Sequence, residues 1–392
     1  MSDAPVRRRP DAAATTAPVD QADPPVLAED LEDDHGLEIT PRGLLTLGFF
    51  LLLAIAALYL LLPQLAGLRN TWHRIRDGSP WWTLAGLVFT LGMFGGYVSM
   101  FRGVFLRADD QRRIDWKEAY QITMAGLAAS RLFAAGGAGG LVLQAWALRR
   151  AGMPRRRVAD TTLSFLILTY FPYVIAVIVC GFGLRLAIFP GDAPFALTVV
   201  PAVIGLIALG VGLAIALVPT DLQRRVGEIR CGSGRLSRWA KKLANAPASA
   251  SAGMRDAIDH VRSGDPALLG AIAFWAFQIL VLWAAFHAFG EPPPWAVLVQ
   301  AFFLGMLGNL LPLPGGVGGV EGGMIGAFAA FGVDSGLAVV AVLVYRALTF
   351  WLPLVPGVIA YFQLRRTVEG WRYAIQSEVK DPAKGAKPAH GT

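Results

Sequence analysis

One acidic residue stands in an otherwise apolar, glycine-rich stretch of the chain, LLPLPGGVGGVEGG at residues 310–323. Glu321 follows two prolines and a GGxGG pattern, residue types that break an ordinary helix. A carboxylate inside a membrane is costly and usually faces a partner or a wet cavity. The nearest cation of the following apolar segment is Arg346. We therefore predict a Glu321–Arg346 pair, which either fixes two elements together or acts as a proton or headgroup switch.

A second glycine-rich break, AAGGAGGLV at residues 134–142, resembles the first at an offset of 179 residues. Backbone N–H groups at such breaks and at helix N-termini suit a phosphate or carboxylate group. The alternative is close helix packing through small residues. Neither break has the Lys-Ser/Thr ending of a nucleotide-binding loop. The candidate binding residues at the two breaks are Gly136, Gly137, Gly139, Gly140, Pro312, Pro314, Gly315, Gly316, Gly318 and Gly319.

Three polar residues lie beside the breaks. Arg131 precedes the first break and offers a cation to a phosphate, although snorkelling to the cytoplasmic interface would also explain it. Gln144 and Asn309 are weaker polar candidates. The two cysteines and five histidines are scattered, without ligand spacing, so we expect no metal and no cofactor.

The composition indicates an integral membrane protein. Of 392 residues, 55% are hydrophobic and 16% charged, and the mean hydropathy is +0.50, whereas soluble domains carry about 25% charged residues. Residues 1–40 contain ten acidic and three basic residues, so their net charge is −7, against +14 for the remainder. This segment has few large apolar residues, and we expect a disordered cytoplasmic tail. No cleavable signal peptide is expected, because the first apolar run starts at Gly43 and is long enough to span.

Run length and flanking residues predict an all-α membrane domain at residues 43–366, followed by a cytoplasmic tail at 367–392. Within it, residues 219–266 predict basic amphipathic helices, either on an anionic leaflet or packed on the bundle as a connector. The predicted apolar elements are 43–62, 81–101, 119–148, 161–189, 196–218, 267–289, 296–331 and 337–362.

Positive charge predicts the orientation of these elements. Segments 102–117 and 149–160 contain five Lys/Arg each, whereas 290–295 and 332–336 contain none, so the basic segments are expected in the cytoplasm. The segment 63–80, with three arginines, is an exception. The third and seventh elements then have both ends on one side. They predict two opposed re-entrant hairpins, six full spans and an inverted repeat of the kind found in secondary transporters.

The second break and the segment after it resemble the lysylphosphatidylglycerol synthase transmembrane family, which carries PxPGGxGxxE followed by a Tyr-Arg pair. The matching residues are Pro312, Pro314, Gly315, Gly316, Gly318, Glu321, Tyr345 and Arg346. The stretch SRLFAAGGAGGLVLQAWALRRAGM is similar to the family's other signature. Many members carry a charged residue just after the first glycines, where this chain has Leu141, Val142 and Gln144.

The resemblance covers residues 43–366 and implies a flippase-like domain that translocates a phospholipid or a lipid-linked carrier. Larger members add an aminoacyl-transfer domain. This chain ends about 30 residues after its last predicted span, so we expect no such synthesis from it.

These observations lead to one functional hypothesis and two rivals. The hypothesis is an anionic-lipid transporter of the bacterial inner membrane, not an enzyme, with both termini cytoplasmic and the headgroup near Glu321, Arg346 and Arg131. The rivals are an intramembrane lipid-phosphate enzyme and a non-transporting scaffold. The enzyme would need a nucleophile or an acid/base pair, whereas the apolar elements offer a single carboxylate, Glu321. The expected partners are membrane lipids, together with a second copy of the chain or a lipid-modifying enzyme; nucleic acid is not expected.

Overall fold

The chain folds into helices, the structure in which a single apolar segment satisfies its own backbone N–H and C=O groups inside a bilayer. A computed structural model describes residues 78–106, 115–132, 138–216, 254–255, 257–259, 262–311 and 313–380. In chain order the helices are α1 (Pro80–Leu106), α2 (Trp116–Leu132), α3 (Ala138–Arg150), α4 (Arg155–Arg185), α5 (Phe195–Ala216), α6 (Pro266–Phe289), α7 (Trp295–Met306), α8 (Gly319–Ala330), α9 (Ser335–Arg346) and α10 (Leu354–Lys380). Short 3-10 turns lie at Leu307–Leu310 and Pro314–Gly316, and a π-helical turn lies at Ala347–Trp351.

Five stretches of the described chain are helical, long enough and apolar enough to cross a membrane: Pro80–Phe105, Arg157–Arg185, Phe195–Ala214, Pro266–Phe289 and Ser335–Trp371. They coincide with five of the six predicted full spans. The sixth, at residues 43–62, lies outside the described residues, as do the tail 1–40 and most of the loop 219–266. The protein is an all-α, polytopic membrane protein.

Two helical hairpins stand apart from these long helices. The first consists of α2 and α3, of 17 and 13 residues, and the second of α7 and α8, of 12 residues each. At 1.5 Å per residue the four arms measure roughly 18–26 Å, less than the ~30 Å hydrocarbon core of a bilayer. The arm lengths therefore fit the two re-entrant hairpins, whose depth in the membrane stays a prediction.

The two halves of the molecule exchange packing partners. Helix α2 of the first hairpin packs on α10, which follows the second hairpin, and α7 of the second packs on α4, which follows the first. Between them α1 crosses α6 with the backbones in contact: a Cβ added to Gly270 would lie 2.7 Å from the Met100 nitrogen and 2.8 Å from the Gly96 oxygen. This reciprocal packing is the arrangement that an inverted repeat would produce.

Each hairpin has its own apolar core. One buried cluster joins the first hairpin to α1, the N-terminal half of α4 and α10, and the other joins the second hairpin to α6, α9 and the C-terminal half of α4. By contrast α5 leaves large apolar side chains exposed, among them Ile204 and Ile207, both 61% exposed. An outer face of this kind suits contact with lipid tails.

The last helix is longer than predicted. We expected the final span to end at residue 362, but α10 continues to Lys380 and enters the predicted tail. Leu364 and Val368 explain the extension, because both are buried against the core of the first hairpin.

Candidate functional site

Glu321 lies in the first turn of α8 and is bound at both carboxylate oxygens. Oε1 accepts a hydrogen bond from Arg346 Nε at 2.6 Å, and Oε2 accepts one from the backbone N–H of Gly318 at 2.7 Å. Each side chain of this ion pair is 7% exposed. The predicted Glu321–Arg346 pair is therefore present, and the same carboxylate caps a helix N-terminus, where negative charge is stabilised.

Arg346 joins the end of α9 to the glycine-rich break. Its Nη2 donates to the backbone oxygen of Gly315 at 3.2 Å. Its guanidinium also lies over the Phe350 ring, 4.2 Å from the ring centroid. Through these contacts and Glu321, the arginine fixes the position of the second hairpin relative to the last helices.

The π-helical turn after Arg346 supplies the partners of Arg131. Pro353 has no N–H, so the carbonyl of Thr349 lacks the donor that a regular helix would provide four residues later. Arg131 Nη2 donates to this carbonyl at 2.7 Å, and Nη1 donates to the carbonyl of Phe350 at 3.1 Å. The head group of Arg131 is therefore directed at the carbonyls of the broken helix, which gives it partners within the protein.

Two guanidinium groups consequently share one aromatic ring. The Arg131 guanidinium carbon lies 5.3 Å from the Phe350 ring centroid, and that of Arg346 lies 4.2 Å away. Cations at this distance from a ring are attracted by its quadrupole. With the single carboxylate of Glu321, the cluster of these two arginines carries a net charge of +1.

A cavity of about 160 Å³ opens beside this cluster. Its polar character comes from the two arginines, the side chain of Asn309 and a hydrogen bond of 2.8 Å from the Tyr345 hydroxyl to Gln278 Oε1. Of the described residues that line it, none carries a carboxylate. The lining residues are Arg131, Phe274, Trp275, Gln278, Met306, Asn309, Gly315, Tyr345, Arg346, Thr349 and Phe350.

The two glycine-rich breaks differ in structure. In the second, Gly315, Gly316 and Gly318 have positive φ angles of 58°, 65° and 85°, which L-residues with side chains rarely adopt. A Cβ on Gly316 would also meet the side chain of Asn309. Gly319 begins helix α8. Pro314 lies in the turn before it, and Pro312 lies outside the described residues.

The first break shows a different use of glycine. Gly139 and Gly140 lie in the first turn of α3, and a Cβ on Gly140 would meet Ser130 Oγ and the Gly126 backbone oxygen of the facing arm. Gly140 therefore serves close packing of the two arms, the alternative we set beside anion binding. Gly136 and Gly137 lie outside the described residues.

The structure brings some of the binding residues predicted from the sequence together around the cavity. Arg131, Asn309, Gly315, Tyr345 and Arg346 line the cavity, with Glu321 bound to Arg346, while Gly318, Gly319 and Gln144 are not among the lining residues.

The lining residues that the sequence did not suggest are Phe274, Trp275, Gln278, Met306, Thr349 and Phe350. Sequence features could have indicated two of these residues, Gln278 and Thr349. Gln278 is an amide in the middle of an apolar span, and Thr349 stands four residues before a proline. Within the described ranges no group of three or more His, Cys, Asp or Glu side chains could hold a metal ion.

Comparison with known proteins identifies relatives. The family model described as lysylphosphatidylglycerol synthase TM region matches residues 47–357. A UPF0104 membrane protein of Methanothermobacter thermautotrophicus is 37% identical over 86 residues, which are 22% of this chain and 26% of the relative. Another match to a protein of the same name and organism is 34% identical over 87 residues, with the same shares of each chain. The matched part of this chain thus spans 26% of the length of these curated relatives.

Proposed function

Because the chain belongs to the lysylphosphatidylglycerol synthase TM-region family, we propose that it moves an anionic lipid between the two leaflets of the membrane. The headgroup phosphate binds in the cavity beside Arg131 and Arg346, and the acyl chains stay in the bilayer. The observation that carries this proposal is a cavity lined by two guanidinium groups, that of Arg346 buried and that of Arg131 partly buried, with a single compensating carboxylate.

The chemistry of the cavity suits a phosphate. A guanidinium has five N–H donors, and the bonds described above use two on each arginine. Donors remain for a ligand, and Arg–phosphate contacts are short, charge-assisted and often bidentate. An anion would bring the net charge of the cluster from +1 to zero, which favours its binding where water is scarce.

The position of the cavity suits translocation. Arg131 comes from the first hairpin, Asn309 and Gly315 from the second, and Gln278 from α6, so both halves of the molecule contribute. Transporters built from inverted repeats hold their substrate where the repeats meet, beside broken helices. We propose the same use here, with no covalent chemistry, since both oxygens of Glu321 are engaged by Arg346 and Gly318.

The cellular setting belongs to the same proposal. We propose that the basic segments 102–117 and 149–160 lie on the cytoplasmic side, as the positive-inside rule favours, with both termini in the cytoplasm and the domain in the inner membrane of a bacterial cell. Other copies of the chain or a lipid-modifying enzyme would act with it on the same lipid.

The test is lipid movement in proteoliposomes that contain the full chain and a phosphatidylglycerol with a fluorescent acyl chain. Accessibility of the fluorophore to an external quencher gives the rate. We expect Arg131→Gln to slow movement about tenfold or more, because a hydrogen bond to a charged group contributes about 1.5–3 kcal/mol. Arg185→Gln is the matched control, since Arg185 lies exposed at the end of α4.

Equal rates for empty vesicles and wild-type protein, across phosphatidylglycerol and phosphatidic acid, would refute the proposed function. Equal slowing by Arg131→Gln and Arg185→Gln would instead show that the cavity has no special part in it.

A further inference from the structure

Gln278 places an amide near the middle of an apolar span, the 24-residue helix α6, and is 6% exposed. An amide buried away from water costs free energy unless its groups are hydrogen-bonded. The Tyr345 hydroxyl of α9 donates to Gln278 Oε1 at 2.8 Å, which satisfies the acceptor. Within the described residues Nε2 has no hydrogen-bond partner, and it is not one of the fully enclosed atoms there. Because Gln278 lines the cavity, these N–H donors are open to it.

The other uncharged side-chain donors that line the cavity are already used by the protein. Their bonds run from the Trp275 indole to the Thr169 carbonyl at 2.6 Å, from the Thr349 hydroxyl to the Tyr345 carbonyl at 2.8 Å, and from the Asn309 amide to the Met306 sulfur at 3.5 Å. The Tyr345 hydroxyl is used on Gln278. Of the uncharged side chains described around the cavity, the Gln278 amide alone keeps both of its N–H donors for a ligand.

Tyr345 sets the direction of these donors. The tyrosine is 1% exposed, and its ring packs edge-on against Phe302 with 5.7 Å between the ring centroids, which holds the hydroxyl in place. The oxygen and nitrogen of an amide diverge from one carbon, so a bond that holds Oε1 turns Nε2 away from the tyrosine. Tyr345 directly precedes Arg346. The same turn of α9 therefore supplies one cation of the cavity and orients the amide of α6.

We propose that Gln278 is a further ligand-binding residue of the cavity, which donates from Nε2 to the headgroup phosphate held by Arg131 and Arg346, and that Tyr345 is its positioning residue. This inference rests on the proposed function. A phosphate oxygen accepts hydrogen bonds from an amide as well as from a guanidinium. The amide adds donors without adding charge, so the cluster keeps its net charge of +1 and does not hold a lipid monoanion so strongly that it cannot leave.

The experiment measures binding of dioctanoyl phosphatidylglycerol to the full-length protein in detergent, by lipid-induced thermal stabilisation. Gln278→Met keeps the length of the side chain and removes its donors. We expect about tenfold weaker binding, the lower end of the range for one hydrogen bond to a charged group. Any affinity for dioctanoylglycerol, which has the same chains and no phosphate, should not change.

Tyr345→Phe tests the positioning. It leaves the amide in place but free to rotate, so binding should weaken roughly threefold, the order expected when a side chain must be ordered on binding. The double variant Gln278→Met/Tyr345→Phe should bind as weakly as Gln278→Met and no more weakly, because it has no amide left to orient. Two independent structural defects would instead multiply their effects.

Gln278→Glu separates a ligand-binding role from a structural one. The carboxylate still accepts the Tyr345 hydroxyl, so a purely structural Gln278 would be replaced without loss of binding. As a ligand-binding residue it loses its donors and directs a negative charge at the phosphate, and binding should fall further than in Gln278→Met. Gln300→Met is the matched control: Gln300 is also fully buried, but it lies on α7 and donates to the Leu197 carbonyl. It should bind like wild type.

The outcomes separate this inference from the proposed function. Wild-type affinity in Gln278→Met or in Gln278→Glu overturns the role of the amide, and so does an equal loss in Gln300→Met or an equal loss for dioctanoylglycerol. If Arg131→Gln binds poorly in that case, the proposed function stands. A wild-type protein that does not bind phosphatidylglycerol overturns both. Should Gln278→Met fail to fold, Gln278→Glu and Tyr345→Phe decide.

Discussion

The buried pair of Glu321 and Arg346 allows a separation of stability from ligand binding. Glu321→Ala leaves the Arg346 charge buried without its partner, and breaking a buried pair in this way costs about 3–5 kcal/mol. It also removes the cap on Gly318 N–H, which is worth about 1 kcal/mol. Arg346→Met leaves the carboxylate on its cap but removes the ion pair and the bond to Gly315. We expect the free energy of unfolding to fall by about 5 kcal/mol in Glu321→Ala, the sum of the two losses, and by about 3 kcal/mol in Arg346→Met.

The double variant Glu321→Ala/Arg346→Met removes both charges and should be less destabilised than the two single changes together, with a coupling energy of about 2–3 kcal/mol. Reversible unfolding in mixed micelles measures all four proteins. Asp265→Ala serves as a reference for the loss of a helix cap, because Asp265 accepts a hydrogen bond from Ala267 N–H at the start of α6, and it should lose about 1 kcal/mol or more.

Lipid binding provides the second readout of the same variants. Arg346→Met and the double variant should both bind phosphatidylglycerol poorly, although the double variant regains part of its stability. A coupling energy below about 0.5 kcal/mol, the error of additivity for independent sites, would refute the pair as a stabilising contact. Wild-type affinity in the double variant would refute the part that the arginine plays in binding.

Two further predictions concern the breaks and use the same unfolding assay. Gly316→Ala should destabilise by about 1–2 kcal/mol, because φ is 65° and the new Cβ meets the Asn309 side chain. Gly322→Ala lies in helix α8 with open space around its Cβ, so it should instead stabilise by up to about 1 kcal/mol. Pro353→Ala gives the Thr349 carbonyl a backbone donor, so the loss caused by Arg131→Met should fall by about 1 kcal/mol in that background. A loss that is equal in the two backgrounds would contradict this account of Arg131.

The features that could be predicted from the sequence are those that follow from the free-energy cost of burying charged and polar groups away from water. A lone carboxylate in an apolar stretch requires a partner, and this requirement led from Glu321 to Arg346 before any geometry was known. Apolar run length predicted six full spans for the same reason, since exposed backbone groups are excluded from lipid, and the five of them within the described residues are helical. Such inferences need no knowledge of which helices meet.

Contacts between distant helices were beyond sequence reasoning. Phe274 and Trp275 are two of many aromatic residues in apolar helices, and nothing local shows that they face a cavity. The two GGxGG patterns are alike in sequence, yet the residues of the second adopt positive φ angles, while Gly140 of the first lies in a helix against another helix. The two breaks therefore differ in the tertiary contacts of their glycines, which the local sequence does not encode.

The contact between α2 and α10 offers a last test of lipid movement. Arg131 of α2 reaches the cavity while held by the carbonyls of Thr349 and Phe350, so separating the first hairpin from the last helix would withdraw this cation. Arg346 would then remain with Glu321, at zero net charge, and an anion would be released. A Cβ on Gly357 lies 2.8 Å from that of Ala128, and a small separation brings the two to the ~3.5–4.5 Å of a disulfide.

In a background where both native cysteines are replaced by serine, we expect the oxidised Ala128→Cys/Gly357→Cys protein to bind phosphatidylglycerol but not to move it. Reduction should restore movement, because the cross-link alone holds the hairpin against α10. Each single cysteine variant, treated with the same oxidant, is the control for modification without cross-linking. If the cross-linked protein moves lipid at the rate of its reduced form, α2 and α10 remain together throughout transport, and release of the lipid does not require Arg131 to leave the cavity.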